Sequence, residues 1–103
     1  MISKASGTAS EIFRRGVEGA RQAGMPEFNR VHCGHGIGLE LYENPTIAPD
    51  NLTIMEDGTV INVETPFYEI RQGAFIVEDT LVVSRSGPNF MSRMDRGLIE
   101  IGV

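Results

Sequence analysis

Two apolar runs, residues 59–67 and 74–84, constrain this 103-residue sequence more than any other feature. Both are rich in Val, Ile, Phe and Thr, the residue types that favour strands. The connection between them, Tyr68-Glu69-Ile70-Arg71-Gln72-Gly73, is polar enough for a hairpin turn. If the hairpin is symmetric about Arg71, Glu64 lies seven residues before its centre and Glu78 seven after. The two carboxylates then face each other with Cβ atoms about 5 Å apart, an arrangement that destabilises a sheet. Three resolutions exist: a shared proton, a wet face neutralised by Lys or Arg, or a bound divalent cation. The flanks of Glu78 (Phe75, Ile76, Val77, Leu81, Val82, Val83) are apolar on both faces, which counts against the wet face.

The other elements follow from periodicity and punctuation. Thr8-Ala9-Ser10-Glu11 fits a capping box, and Ile12, Phe13, Val17 and Ala20 form a stripe at helical spacing. Gly24 and Pro26 supply the stop, so the pattern predicts a helix over residues 9–23. From Val31 the period becomes two. Val31, Cys33, His35, Ile37, Leu39 and Leu41 are expected on one face of a strand, and His32, Gly34, Gly36, Gly38 and Glu40 on the other. Glycines on one face of a strand mark a bulge or the close approach of another group. Residues 43–58, with two prolines and an Asp-Asn pair, read as a long loop. Ser86-Gly87-Pro88-Asn89 reads as a turn, and residues 97–102 as a short last strand.

Length fits one small domain. A net charge of −5 argues against sequence-independent nucleic-acid binding, which needs clustered cations. No apolar run reaches membrane-spanning length, and the first ten residues have no apolar signal core. A single cysteine, Cys33, has no partner for an internal disulfide, which makes a reducing cytoplasm the default compartment.

His35 stands between Gly34 and Gly36, which leave room for a close approach. Carboxylates with one imidazole suit Mn, Fe, Co or Zn. The bland alternative is a hydrogen-bonded core histidine. Gly34-His35-Gly36-Ile37-Gly38 lacks the spacing and context of a dinucleotide loop. Cys33 is expected to be a small core residue rather than a nucleophile, because adjacent strand residues such as His32 point the other way. Asp79 is expected to face away from Glu78. Tyr42 and Glu43, at the mouth of the long loop, and His32 are candidate substrate contacts.

Taken together, C-G-H-G-I-G-L-E-L-Y-E-N-P, V-I-N-V-E-T-P and V-E-D-T-L-V-V-S resemble three ordered segments of the methionine aminopeptidase, aminopeptidase P, prolidase and creatinase superfamily. The short interval from Glu64 to Glu78 is most similar to the prolidase-type, Xaa-Pro dipeptidase branch. The resemblance runs from about Thr8 to about Met91. It implies an α+β "pita-bread" fold in which one N-terminal helix packs on a curved, mainly antiparallel sheet. It also implies a pair of divalent metal ions (Mn, Co, Zn or Fe). His35 and Glu64 would bind one ion, Glu78 would bridge both, and the bridged water would attack a peptide carbonyl near a substrate's N-terminus.

Three departures from the family pattern stand out. Nothing here matches the family's two aspartate ligands, so residues 1–103 resemble only the C-terminal half of the catalytic domain. That half would be inactive alone and would pair with itself or with a missing N-terminal half. Tyr42 stands where the family carries a histidine, which makes it the candidate catalytic residue at that position. Ile76 stands where prolidase-type members carry an arginine. The expected activity is therefore that of a metal-dependent aminopeptidase or Xaa-Pro dipeptidase in a full-length parent. A non-catalytic binding module and a creatinase-like hydrolase of another C–N bond are the alternatives.

Overall fold

The computed structural model describes residues 7–102. Residues 1–6, most of the stretch without a signal core, lie outside them. The helix α1 (Ala9–Gln22) starts on the expected capping box. The Thr8 hydroxyl accepts from the Glu11 N–H at 3.2 Å, and the Glu11 carboxylate accepts from the Thr8 N–H at 3.1 Å. The helix gives way at Gly24, whose φ of 117° suits a residue without a Cβ.

Among the described residues seven strands follow: β1 (Gly34–Gly36), β2 (Glu43–Thr46), β3 (Val60–Glu64), β4 (Phe67–Glu69), β5 (Gly73–Phe75), β6 (Glu78–Val82) and β7 (Asn89–Phe90). Five of them form one sheet in the order β2-β1-β3-β6-β7, with every neighbouring pair antiparallel. Strands β4 and β5 form a separate two-stranded ribbon.

The hairpin has the predicted register. Val60 pairs with Val82 and Glu64 with Glu78, and the count continues through Phe67–Phe75 to Glu69–Gly73, centred on Arg71. Arg71 itself takes φ 71° at the tip. The ladder breaks near Pro66, which has no N–H to donate. The Thr65 N–H still reaches the Val77 carbonyl at 3.3 Å.

Alternation gives the sheet two unlike faces. Ile61, Val63, Leu81 and Val83 are buried with Ala9, Ile12, Phe13 and Val17 of α1, and Phe28, Cys33, Ile47 and Met55 complete the core of the described residues. His35, Asn62, Thr80, Glu64 and Glu78 occupy the opposite face by register.

Several expectations are corrected. The strand expected over residues 31–41 is reduced to β1. Gly34 takes φ 141°, which breaks the alternation, so Cys33 turns into the core while His35 faces the other way. Val31, Leu39 and Leu41 are exposed. The expected loop over residues 43–58 contains β2, and Ile47 and Met55 within it are core residues. Pro45 sits in β2 because that strand is the sheet edge, where a missing donor leaves no ladder bond unmade. β7 forms at the end of the expected 86–89 turn, and residues 97–102 form no strand. The apolar flank Phe75, Ile76 and Val77 is at least half exposed, because the end of the hairpin extends past the five-stranded sheet. No helix among the described residues is long and apolar enough to cross a membrane.

Candidate metal centre

The sheet face opposite α1 opens into a cleft of about 590 Å³, lined in part by His32, His35, Asn62, Glu64, Glu78 and Thr80. Three adjacent strands build it. His35 on β1 is opposite Asn62 on β3, and Asn62 is opposite Thr80 on β6. One step along the same face, Glu64 is opposite Glu78. Glycine permits this geometry at two places. A Cβ at Gly34 would collide with the Asn62 carbonyl oxygen, and one at Gly36 with the Asn44 carbonyl. The close approach expected around His35 is therefore an approach of backbone to backbone.

His35 is 6% exposed, and its Nδ1 lies 2.8 Å from its neighbour Gly36's carbonyl oxygen. A carbonyl only accepts, so Nδ1 is the donor, and in the neutral imidazole Nε2 keeps its lone pair. That is the tautomer a metal-ligating histidine needs. The Tyr42 ring lies against this imidazole, with centroids 4.3 Å apart and an interplanar angle of 49°.

The opposed glutamates are not left to repel one another. The Asn62 amide donates to Glu78 Oε2 at 2.8 Å and approaches Glu64 Oε2 at 3.5 Å, while its carbonyl oxygen accepts from the Thr80 hydroxyl at 3.2 Å. A neutral donor of this kind is a fourth resolution, beyond the three that the sequence suggests. Its signal lies in the register, since Asn62 is two residues before Glu64 and so shares its face. Glu64 is half-buried and Glu78 exposed, which corrects the dry setting expected for both. His32 also lines the cleft, contrary to its expected placement on the face opposite His35. Its Nδ1 is buried without a hydrogen-bond partner, 3.9 Å from Glu64 Oε1.

The other candidates lie at or beyond the rim. Glu43 lines a neighbouring pocket with His32, His35 and Tyr42. Its carboxylate accepts from the Glu40 N–H at 3.1 Å, which holds the 38–40 loop. Asp79 faces away, as expected, and pairs with Arg96 at 2.6 Å. Cys33 is buried in the core, and burial pushes its thiol up to about 11.

The donor set fits a divalent cation in type: one imidazole with a free Nε2, and two carboxylates on the same face. Among the described residues, no three of His, Cys, Asp or Glu converge into a ready cage. The Asn62 amide takes up part of the space between the carboxylates.

Comparison with known proteins agrees with this reading of the fold. The sequence matches metallopeptidase family M24 over residues 2–85. It is 29% identical over 92 residues to the Xaa-Pro dipeptidase of Pyrococcus furiosus, covering 89% of this chain and 26% of that protein. The structure superposes on the X-Pro aminopeptidase from Thermotoga maritima MSB8 with a TM-score of 0.84 at 29% identity, over 93% of this chain and 27% of the other. It superposes equally well on the prolidase from Pyrococcus horikoshii OT3, with a TM-score of 0.84 at 29% identity over 94% and 28%. The chain thus spans about a quarter of the length of these relatives. With one helix on a mostly antiparallel sheet and three ordered motifs in place, the chain belongs to metallopeptidase family M24 and shares the pita-bread fold of its prolidase-like members.

Proposed function

We propose that His35, Glu64 and Glu78 are part of the metal-binding set of a hydrolase that cleaves Xaa-Pro peptides, and that residues outside this segment complete the set. The observation that carries the reading is the three-strand register, which brings an imidazole with a free Nε2 and two opposed carboxylates to one face. A divalent cation, when bound, supplies Lewis acidity to the reacting carbonyl. The chain's own residues do the rest. His35 is held in one tautomer by Gly36, Glu64 and Glu78 supply the compensating negative charge, and Tyr42 offers a hydroxyl donor beside His35.

The test joins this segment to the preceding part of the Pyrococcus furiosus relative and follows proline release from Xaa-Pro dipeptides in Mn²⁺ or Co²⁺. The expected result is metal-dependent release that is lost in Glu78→Gln. Failure to cleave any Xaa-Pro dipeptide would remove the main support for the reading.

A second reading, a binding module that keeps the fold without the chemistry, is favoured by Tyr42 lying on the His35 ring and by Ile76 in the cleft wall. It predicts that the same fusion takes up metal and ligand but releases no proline.

A further inference from the structure

The second arm of the hairpin leaves one side open. Strand β5 pairs only with β4, and β7 pairs only with Leu81 and Val82 of β6, so among the described residues no strand lies outside residues 73–78. The Thr65 N–H reaches the Val77 carbonyl, which turns Val77 toward the first arm, and the Met91 N–H reaches the Thr80 carbonyl on the far side. Alternation between these two bonds points the N–H and C=O of Ala74, Ile76 and Glu78 outward. None of the three has a backbone partner there among the described residues. The side chains of this run are exposed, and Gly73-Ala74-Phe75-Ile76-Val77 carries no charge and no proline. An uncharged, apolar, unpaired edge of six residues, about 20 Å long, recruits another strand. The two edges of the five-stranded sheet are blunted by comparison: β2 carries Pro45, which has no N–H to donate, and β7 has two residues.

We propose that residues 73–78 form a self-pairing edge, at which two copies of this chain add to one another as antiparallel strands about a twofold axis at Ile76. Geometry and charge select a second copy. An edge paired antiparallel with itself is self-complementary and closes at two copies. A centre at Ile76 sets Ala74 opposite Glu78 of the other copy and Ile76 opposite Ile76, so every outward N–H and C=O of the three residues finds a partner. Phe75 then meets Val77, an aromatic and β-branched pair. Arg71 stands at one end of the edge and Glu78-Asp79 at the other, and Arg71 is in neither ion pair of the described residues. With Arg96 on Asp79, Glu78 is the net charge at the acidic end. Antiparallel copies bring each Arg71 toward the acidic end of the other, where a parallel pair would set like beside like. Ile76 and Glu78 also line the glutamate cleft, so this pairing sets two clefts side by side across the axis.

The experiment follows the mass of the full, metal-free chain by sedimentation equilibrium from about 10 µM to about 1 mM, with amide hydrogen exchange read by NMR on the same samples. The expected result is a monomer–dimer equilibrium that stops at two copies, with exchange at Ala74, Ile76 and Glu78 slowing as the dimer fills. Ile76→Lys, which sets two ammonium groups face to face on the axis, should weaken the dimer by about tenfold or more. Arg71→Glu should weaken it too. Leu52→Lys, at an exposed apolar residue away from this edge, should leave it unchanged. A monomer mass at every concentration would overturn the proposal. So would a dimer whose three edge amides exchange as fast as the monomer's, or an equal loss in Leu52→Lys, the mark of unspecific apolar association. Slow exchange at the three amides in a monomer would mean that this chain's own exposed tail, Leu98, Ile99 and Ile101, covers the edge, and would overturn it as well.

Discussion

Gly34 is the residue that most tightly couples fold and site, and replacing it with alanine tests that coupling. Two costs arise. The residue sits at φ 141°, a region L side chains rarely adopt, and holding alanine there costs about 1–3 kcal/mol. The new Cβ would also run into the Asn62 carbonyl oxygen on β3, with the Asn62 carbonyl carbon 3.1 Å away. These are backbone atoms, so relief requires β1 and β3 to separate, and overpacking of this kind costs about 1–3 kcal/mol more. Gly73 is the matched control. Its φ is 128°, and nothing lies within 4 Å of the place a Cβ would take there, so Gly73→Ala carries only the first cost. The difference between the two variants should be about 2 kcal/mol, a large fraction of a small domain's stability. Urea unfolding with a common slope measures it. If the two variants unfold at midpoints equivalent to within about 0.5 kcal/mol, the claim that β1 needs a bare backbone to reach β3 is wrong.

Asn62→Ala removes the amide between the opposed carboxylates. It should cost about 1–2 kcal/mol, and the denaturant midpoints of the variant and the wild type check it. Cys33 titrates from about 11 in the fold against 9.0 in the open chain. The folded state therefore retains a proton that the unfolded chain releases, and stability present below pH 9 should fall by roughly 2–3 kcal/mol as pH rises to 11. Cys33→Ala should remove that part of the pH dependence, and unfolding curves at pH 8 and 10.5 measure it. The buried thiol should also stay unreactive toward a disulfide reagent at pH 8 until denaturant is added.

Local rules are legible in the sequence where each residue's role depends on its near neighbours. The Thr8 to Glu11 capping box and the Arg71-centred hairpin are of that kind. Both are fixed by spacing alone, and the hairpin count carries through to Glu64 facing Glu78. What stays hidden depends on backbone conformation or on the ends of the sheet. Gly34's positive φ reverses the faces of Cys33 and His35, and no alternation rule anticipates a residue that changes face. Pro45 makes β2 read as loop, because a sequence does not say which strand is the edge. Phe75, Ile76 and Val77 read as buried because they are apolar, yet they lie where the hairpin leaves the main sheet. Asn62 is inconspicuous because a neutral amide carries no charge signal, although it bridges the pair that does.

The central claim is that one face of the sheet, and not acidity in general, binds a divalent cation. Mn²⁺ binding by electron paramagnetic resonance tests it directly, using His35→Ala, Glu64→Gln and Glu78→Gln beside Asp79→Asn, whose side chain pairs with Arg96 on the other face. The account predicts at least a tenfold loss of affinity, about 1.4 kcal/mol, for each of the first three and no change for the fourth. Wild-type affinity in His35→Ala and Glu78→Gln, or an equal loss in Asp79→Asn, would contradict it.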